Sequence, residues 1–462
     1  MIFASCLQIS ASAVPTGLLL PDGYLSTHGN QIVDSRGRPV RIASVGGLGT
    51  VVTTGGLTYN FGCYDGLGTN IAAMARLGFN CIRVDFNDKN VQDPATLTQF
   101  DQLVAACKDH GLKVIFDHHN NEATPANWGN AAQQTNGLWY DIGPGTDGTD
   151  GVSDKGTISN DQFLEDWVSL AKRYSGNSTV IGFDLDNEPH VGYGTPYNGL
   201  NWGDGGPGDI RTMFTNVGNA IEAVDPGVLI ICEGPMDVTD KSSVIWWSMD
   251  LSHVATKPVV LKIPNKVVYS VHEYPAEVSG IRHDHGQEYI DEMNADWGYL
   301  ETKNIAPVWV GELGAPTSAS DADGNGWEAT ILPYLSGEDS AVGGPKFTGA
   351  DQPIGTDLWR WGSAPNVGDG CLSTAGAIRP EIADYVSQLM FYHEHRPALK
   401  AAAVSSAFTP GAWQQMTVNC KTNWDWLFAQ RAARVSDAEM RSLKSMLADN
   451  NGLNELTMGS RQ

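Results

Sequence analysis

The stretch "IGFDLDNEPH" (181–190) runs from apolar residues into an amide, a carboxylic acid and a proline. Its first half has the nearly continuous apolar character of a strand buried on both faces, as in a parallel sheet covered by helices. Its end is polar, so Glu188 is either a solvated strand tip or a working group. Pro189 disfavours a helical conformation for the residue before it, which predicts an extended Glu188 held at the strand rim. Asp184 and Asp186 are expected to point the same way lower down. Strict alternation sends Asn187 to the opposite face, so a bulge or strong twist is needed for both Asn187 and Glu188 to reach one site.

Working outward, similar runs occur at "VRIASV" (40–45), "FNCIRVDF" (79–86), "LKVIFDHH" (112–119), "VLIICEG" (228–234), "KVVYSVHEY" (266–274), "PVWVGELG" (307–314) and "TDLWRWG" (356–362). Amphipathic patterns lie between them. Leu97, Phe100, Leu103, Val104 and Cys107 share one helical face, and Gly111 follows as a stop. Phe163, Trp167, Leu170 and Tyr174 form a second stripe. Ile210, Met213, Phe214, Val217, Ile221 and Val224 form a third, ended by Pro226-Gly227. Tyr289, Met293, Trp297 and Leu300 form a fourth. These aromatic stripes read as core packing.

Strands alternating with helices in this order predict an α/β fold, a (β/α)₈ TIM barrel with long loops after strands three, four and seven. The leading "GYLSTHGNQIVDSRGRPV" reads as a hairpin turning at Asp34–Gly37 and capping the barrel floor. Residues 21–396 are assigned to the barrel. Residues 397–462 form a short C-terminal extension of no assigned role, with a Ser436-x-x-Glu439 capping box. Residues 1–20 contain an Ala-Ser-Ala step like a secretion cleavage site but no basic leading region. They read as an atypical secretion signal, which predicts an extracellular or periplasmic protein.

The formal net charge is −24. That argues against nucleic acid or an anionic membrane as partner, because phosphate binding needs a basic face. A neutral glycan remains allowed. The seven cysteines contain no CxxC pair, so there is no zinc or redox signature. Cys81, Cys107 and Cys232 fall in strand or helix patterns and read as small core residues; one or two loop disulfides among the others stay open. His283 and His285 in "RHDHG" lack a third ligand, and "DADGNG" (321–326) has Leu332 where a calcium loop needs an acid. No metal and no cofactor are expected, and the protein is expected to be a monomer.

In a barrel, polar residues at strand C-termini meet around one axis. The strand ends supply Arg83, then Asp117, His118 and His119, then Asn187 and Glu188, His272 and Tyr274, Glu312, and finally Trp359 and Trp361. Two glutamates, on strands four and seven, thus face one cavity. Such a pair suits glycoside hydrolysis, with one carboxyl protonating the leaving oxygen and the other attacking the anomeric carbon. Arg83 and Tyr274 are of the right kind to keep the attacking group ionised. His118 reads as structural.

"GFDLDNEPH", "VVYSVHEY", "APVWVGELG" and "WRWGSAPNVGDG" resemble glycoside hydrolase family 5, above all its bacterial endo-β-1,4-glucanase branch, from about residue 22 to 396. The resemblance implies that Glu188 is the acid/base and Glu312 the nucleophile. It also implies that Asn187 bonds the sugar 2-hydroxyl, Arg83 and Tyr274 orient Glu312, and His119 and His272 line the cleaved subsite. Trp361 would be the platform under the sugar, with Trp359 in the core. The loop "VGGLGTVVTTGG" lacks the aromatic usual after strand one in this branch, and Asp186 stands where relatives often carry His. The leading expectation is a retaining endoglucanase acting on β-glucan chains. A mannanase, xyloglucanase or transglycosylase of the same fold, and a non-catalytic glycan-binding barrel, are the alternatives.

Overall fold

The computed structural model describes residues 20–47, 50–53, 56–59, 67–77, 79–120, 137–141, 158–190, 199–236, 247–281, 283–315, 326–335 and 354–362. Parallel strands β1 (Ala43–Val45), β2 (Cys81–Asn87), β3 (Lys113–Asn120), β4 (Val180–Asp184), β5 (Leu229–Glu233), β6 (Val267–Glu273), β7 (Val308–Leu313) and β8 (Gly355–Leu358) close into a barrel in chain order. Each coincides with one of the apolar runs, which are buried because helices cover the outer face and side chains fill the inner one. The (β/α)₈ expectation is borne out.

Helices α1 (Leu67–Leu77), α2 (Pro94–Asp109), α3 (Asn160–Tyr174), α4 (Ile210–Glu222), α5 (Gly286–Met293) and α6 (Trp327–Leu335) lie in the connections. Local chemistry starts them. The Asp93 carboxylate accepts the N–H groups of Ala95 and Thr96, and Pro94 occupies the first turn, where its missing N–H costs nothing. Ser159 caps α3 through the N–H of Gln162. The predicted stripes are buried: Phe100, Leu103, Val104 and Cys107 on α2, and Phe163, Trp167, Leu170 and Tyr174 on α3. The fourth stripe is buried too, but α5 passes into a π turn at Asn294–Gly298 before the stripe reaches Leu300.

The hairpin pairs Ser26–His28 with Gln31–Val33, so its turn lies at Gly29–Asn30 rather than at Asp34–Gly37. The latter is a second turn, where Asp34 accepts the N–H groups of Arg36 and Arg38. Leu25, Ile32 and Val40 pack with Cys81, Ile115, Ile181, Leu229, Ile231, Val268 and Trp309 in one apolar cluster. That cluster is the barrel floor, which the hairpin seals. Loop one carries a second antiparallel hairpin, Thr50–Thr53 with Gly56–Tyr59. Cys81, Cys107 and Cys232 are buried free thiols, as the sequence indicates. The leader, the other four cysteines, the 397–462 extension and the acidic loop at 321–325 lie outside the described residues.

Candidate active site

Above the apolar floor the barrel interior turns polar. On β2, Cys81 joins the floor cluster while Ile82, Val84 and Phe86 join the helix-facing core, so Arg83 points inward. Its guanidinium reaches Asp117 on β3 (2.9 Å), Asp184 on β4 (3.0 Å), Glu233 on β5 (3.0 Å) and Glu312 on β7 (2.8 Å). It also donates to the Asn187 side-chain carbonyl at 2.8 Å. Arg83 is 1% exposed, so these ion pairs are little screened by solvent. Burial alone would lower its pKa, but the surrounding carboxylates outweigh burial and raise it well above the ordinary value.

The two glutamates share the cavity above this cation. Glu312 accepts Arg83 on one oxygen and the Tyr274 hydroxyl on the other, at 2.8 and 2.7 Å. Glu188 meets Nδ1 of His272 at 2.8 Å, and the same nitrogen lies 3.7 Å from Glu312. Burial pushes both carboxyls up. At Glu312 the charges of His272, Arg83 and His119, with the Tyr274 hydrogen bond, win and lower it. At Glu188 burial, reinforced by Glu312 and Glu233, outweighs His272, and the carboxyl stays raised. Two equally buried acids are thus pushed apart, the pattern that separates a proton donor from an ionised nucleophile.

The turn that carries Glu188 differs from expectation. β4 ends at Asp184, and Glu188 sits at φ +49, in the left-handed region rather than extended. Pro189 disfavours the right-handed helix at Glu188, and the chain takes a positive φ there in place of an extended one. This turn replaces the anticipated bulge. It places the Asn187 side chain on Arg83 and the Glu188 carboxyl on His272. Asp184 faces inward, whereas Asp186 lies 3.7 Å from His118, which packs edge-on against Phe86 and Phe163 beneath α3. His118, bonded to Asp88 at 2.8 Å, is structural.

His119 joins the site, its Nδ1 2.6 Å from Asp117 and its ring stacked 5.4 Å from Trp359 at 7°. Trp361 does not join it. That indole is fully buried in the helix-facing core and donates to Asn70 at 3.2 Å, so it cannot serve as a sugar platform. Alternation along β8 and its extension puts Trp359 on the inner side instead.

Glu233 was missed. It meets Arg83, His272 at 3.2 Å and the backbone N–H of Glu188 at 2.8 Å. The signal was present, since "VLIICEG" ends strand five in an acid as the other strands end in polar groups. Gly311 was missed as well: a Cβ there would lie 2.5 Å from Ser270 Oγ and 3.2 Å from the His272 ring. Among the described residues, Glu188, His272 and Glu312 and, separately, Asp117, Asp184 and Glu233 are spaced closely enough to surround an ion. Arg83 already contacts every member of the second group. His283 is taken by Glu292 at 2.6 Å and His285 by Asp284 at 2.7 Å.

The family model for cellulase (glycosyl hydrolase family 5) matches residues 33–343. An endoglucanase of Paenibacillus polymyxa is 28% identical over 68% of this chain and 77% of its own length. The major extracellular endoglucanase of Xanthomonas campestris is 26% identical over 80% of this chain and 72% of its own. Among solved structures, the catalytic domain of the latter superposes with TM-score 0.60 at 22% identity, covering 79% of this chain and 99% of that one. A variant endocellulase of Pyrococcus horikoshii in complex with cellotetraose gives TM-score 0.61 at 21% identity, covering 80% of this chain and all of that one. The structural likenesses support the barrel, and the family match covers most of it. The chain belongs to glycosyl hydrolase family 5, the cellulases, and is a glycosidase that hydrolyses glycosidic bonds.

Proposed function

We propose that the protein is a retaining endo-β-1,4-glucanase in which Glu188 is the acid/base and Glu312 the nucleophile. The observation that carries this reading is geometric: Arg83 and Tyr274 grip both oxygens of Glu312, while Glu188, facing His272, presents a carboxylate oxygen within 4.8 Å of it. Glu312, ionised and gripped on both oxygens, attacks the anomeric carbon and forms a glycosyl ester. Glu188 gives its proton to the departing oxygen. Glu188 then takes a proton from water, which attacks the ester and releases the sugar with its original configuration. A carboxylate oxygen of each lies within 4.8 Å of the other, a spacing that suits direct attack more than an intervening water.

The other residues support the same chemistry. The Asn187 side-chain carbonyl is held by Arg83, and its buried NH₂ has no hydrogen-bond partner among the described residues, which suits donation to a sugar 2-hydroxyl. His119 and His272 line the cleaved subsite. Trp359, flat against His119, takes the platform role assigned from sequence to Trp361. We assign catalysis to residues 21–396 and read the protein as secreted; no described helix is long and apolar enough to cross a membrane.

The substrate reading rests on relatives named endoglucanases and on the cellotetraose bound by a structural neighbour. A panel of soluble β-glycans assayed for reducing ends tests it. The fastest release is expected from β-1,4-glucan. Faster turnover of mannan or xyloglucan would overturn the substrate, and binding without release would overturn catalysis.

A further inference from the structure

We propose that Glu233 is the positioning residue for Glu188: one of its carboxylate oxygens anchors the backbone of the left-handed turn, and the other braces the His272 ring that bonds the Glu188 side chain. The proposal rests on the reading of Glu188 as acid/base.

Three observations support it. First, the conformation at Glu188 is one that a residue with a Cβ avoids, so it persists only where its surroundings fix it. The fixing bonds are short. Glu233 Oε2 accepts the Glu188 N–H at 2.8 Å, the His118 carbonyl accepts the Asn187 N–H at 2.9 Å, and His190 Nδ1 meets the Glu188 carbonyl at 2.6 Å. Of these, only Glu233 also touches the groups around the reacting carboxyls.

Second, both nitrogens of His272 face carboxylates, Nδ1 facing Glu188 and Nε2 facing Glu233. A charged ring would present Nδ1–H to a Glu188 carboxyl oxygen at 2.8 Å and turn its Nε2 side, 3.2 Å away and outside hydrogen-bond alignment, toward the ionised Glu233. Burial opposes that charge, but Glu233 and Glu312 overcome it and hold His272 well above its ordinary value. Other charged or titratable groups acting on the ring's surroundings are Arg83, Asp184 and Glu273. Glu233 itself is held down to about 2, because His272 and Arg83 together overcome its burial.

Third, Glu233 is fully buried on a strand, so it is a fixed group rather than a mobile one. Its charge helps keep Nδ1–H of His272 aimed at Glu188. A glutamine there keeps the shape, but it removes the charge beside His272 Nε2, and its single carbonyl cannot both accept the Glu188 N–H and face the ring. The alternative role, one more neutralising partner for Arg83, makes a different prediction. Arg83 keeps Asp117, Asp184 and Glu312, so simple charge balance would leave proton donation untouched.

The test compares Glu233→Gln with the unaltered enzyme on two substrates. On β-glucan, where the departing oxygen needs a proton, turnover should fall on the order of 10²-fold, as expected for a misplaced catalytic group. With a dinitrophenyl β-cellobioside, whose leaving group departs unaided, the burst rate should stay within a few-fold. An equal loss on both substrates, or no loss on β-glucan, would overturn the proposal. Glu188→Ala, run beside it, separates the two levels. If that variant lacks the selective pattern, the acid/base reading fails; if it shows the pattern and Glu233→Gln does not, only the role of Glu233 fails. Nitrogen-15 NMR of His272 in the unaltered enzyme decides the matter even if the variant does not fold. Protons on both ring nitrogens at neutral pH support the proposal, and a neutral ring overturns it.

Discussion

Glu188 and Glu312 present carboxylate oxygens within 4.8 Å of each other, with a His272 ring nitrogen within the same distance of both. The carboxyls come from neighbourhoods of different charge. Arg83 and Tyr274 grip one, while the other stands on a turn whose conformation lifts it off the strand. The mechanism follows from that difference, and so do its tests.

Leaving-group dependence separates the two roles. Glu188→Ala should glycosylate with a dinitrophenyl glycoside at little loss and then stall, giving a burst, because deglycosylation lacks its base. On β-glucan the same variant should lose at least the roughly 10²–10⁴-fold typical of general acid catalysis. Glu312→Ala removes the attacking oxygen and should be inactive on both, with no burst. Exchange of these two patterns would exchange the roles.

The pH profile of kcat/KM on β-glucan should be bell-shaped. In the proposed mechanism Glu312 acts ionised, so its lowered pKa should set an acid limb below the ordinary glutamate range. Glu188 acts protonated in the same mechanism, so its raised pKa should set an alkaline limb above that range. The limbs belong to the interacting pair as a whole. Tyr274→Phe removes a hydrogen bond that favours ionised Glu312, so the acid limb should move to higher pH. A shift to lower pH would contradict the assigned contact.

The two tryptophans of strand eight should fail differently. Trp361→Ala empties a fully buried site and should cost about 3–5 kcal/mol of stability, visible as a lowered midpoint in urea. Trp359→Ala, at a site 9% exposed and stacked on His119, should also lower the midpoint, but it should in addition raise KM by roughly tenfold through lost sugar stacking, which Trp361→Ala should not. The reverse pairing would restore Trp361 as the platform.

The barrel was legible because each strand is an apolar run long enough to be buried on both faces, and its stops are local. The glutamate pair was legible for a related reason: closure brings strand ends to one axis whatever the loops do. The orientation of single side chains beyond a strand end was not legible. Period-two reasoning holds only while the ladder continues, and β4 ends at Asp184, before the residues that matter. Glu188 therefore took a left-handed conformation that its proline neighbour permits but does not specify. The same limit applies at Trp359 and Trp361, where an indole suits a core as well as a sugar face. Glu233 was overlooked for a different reason. Its partners Arg83 and His272 lie on two other strands and Glu188 on the turn after β4, so the acid that ends "VLIICEG" shows its place at the rim but not its partners.

The central claim is a double displacement through Glu312, and the anomer released first tests it most directly. Proton NMR of β-glucan hydrolysis, read in the first minutes before mutarotation, should show the β-anomer of the new reducing end ahead of the α-anomer. An α-anomer appearing first would mean single displacement by water with inversion, and would contradict the nucleophilic role of Glu312.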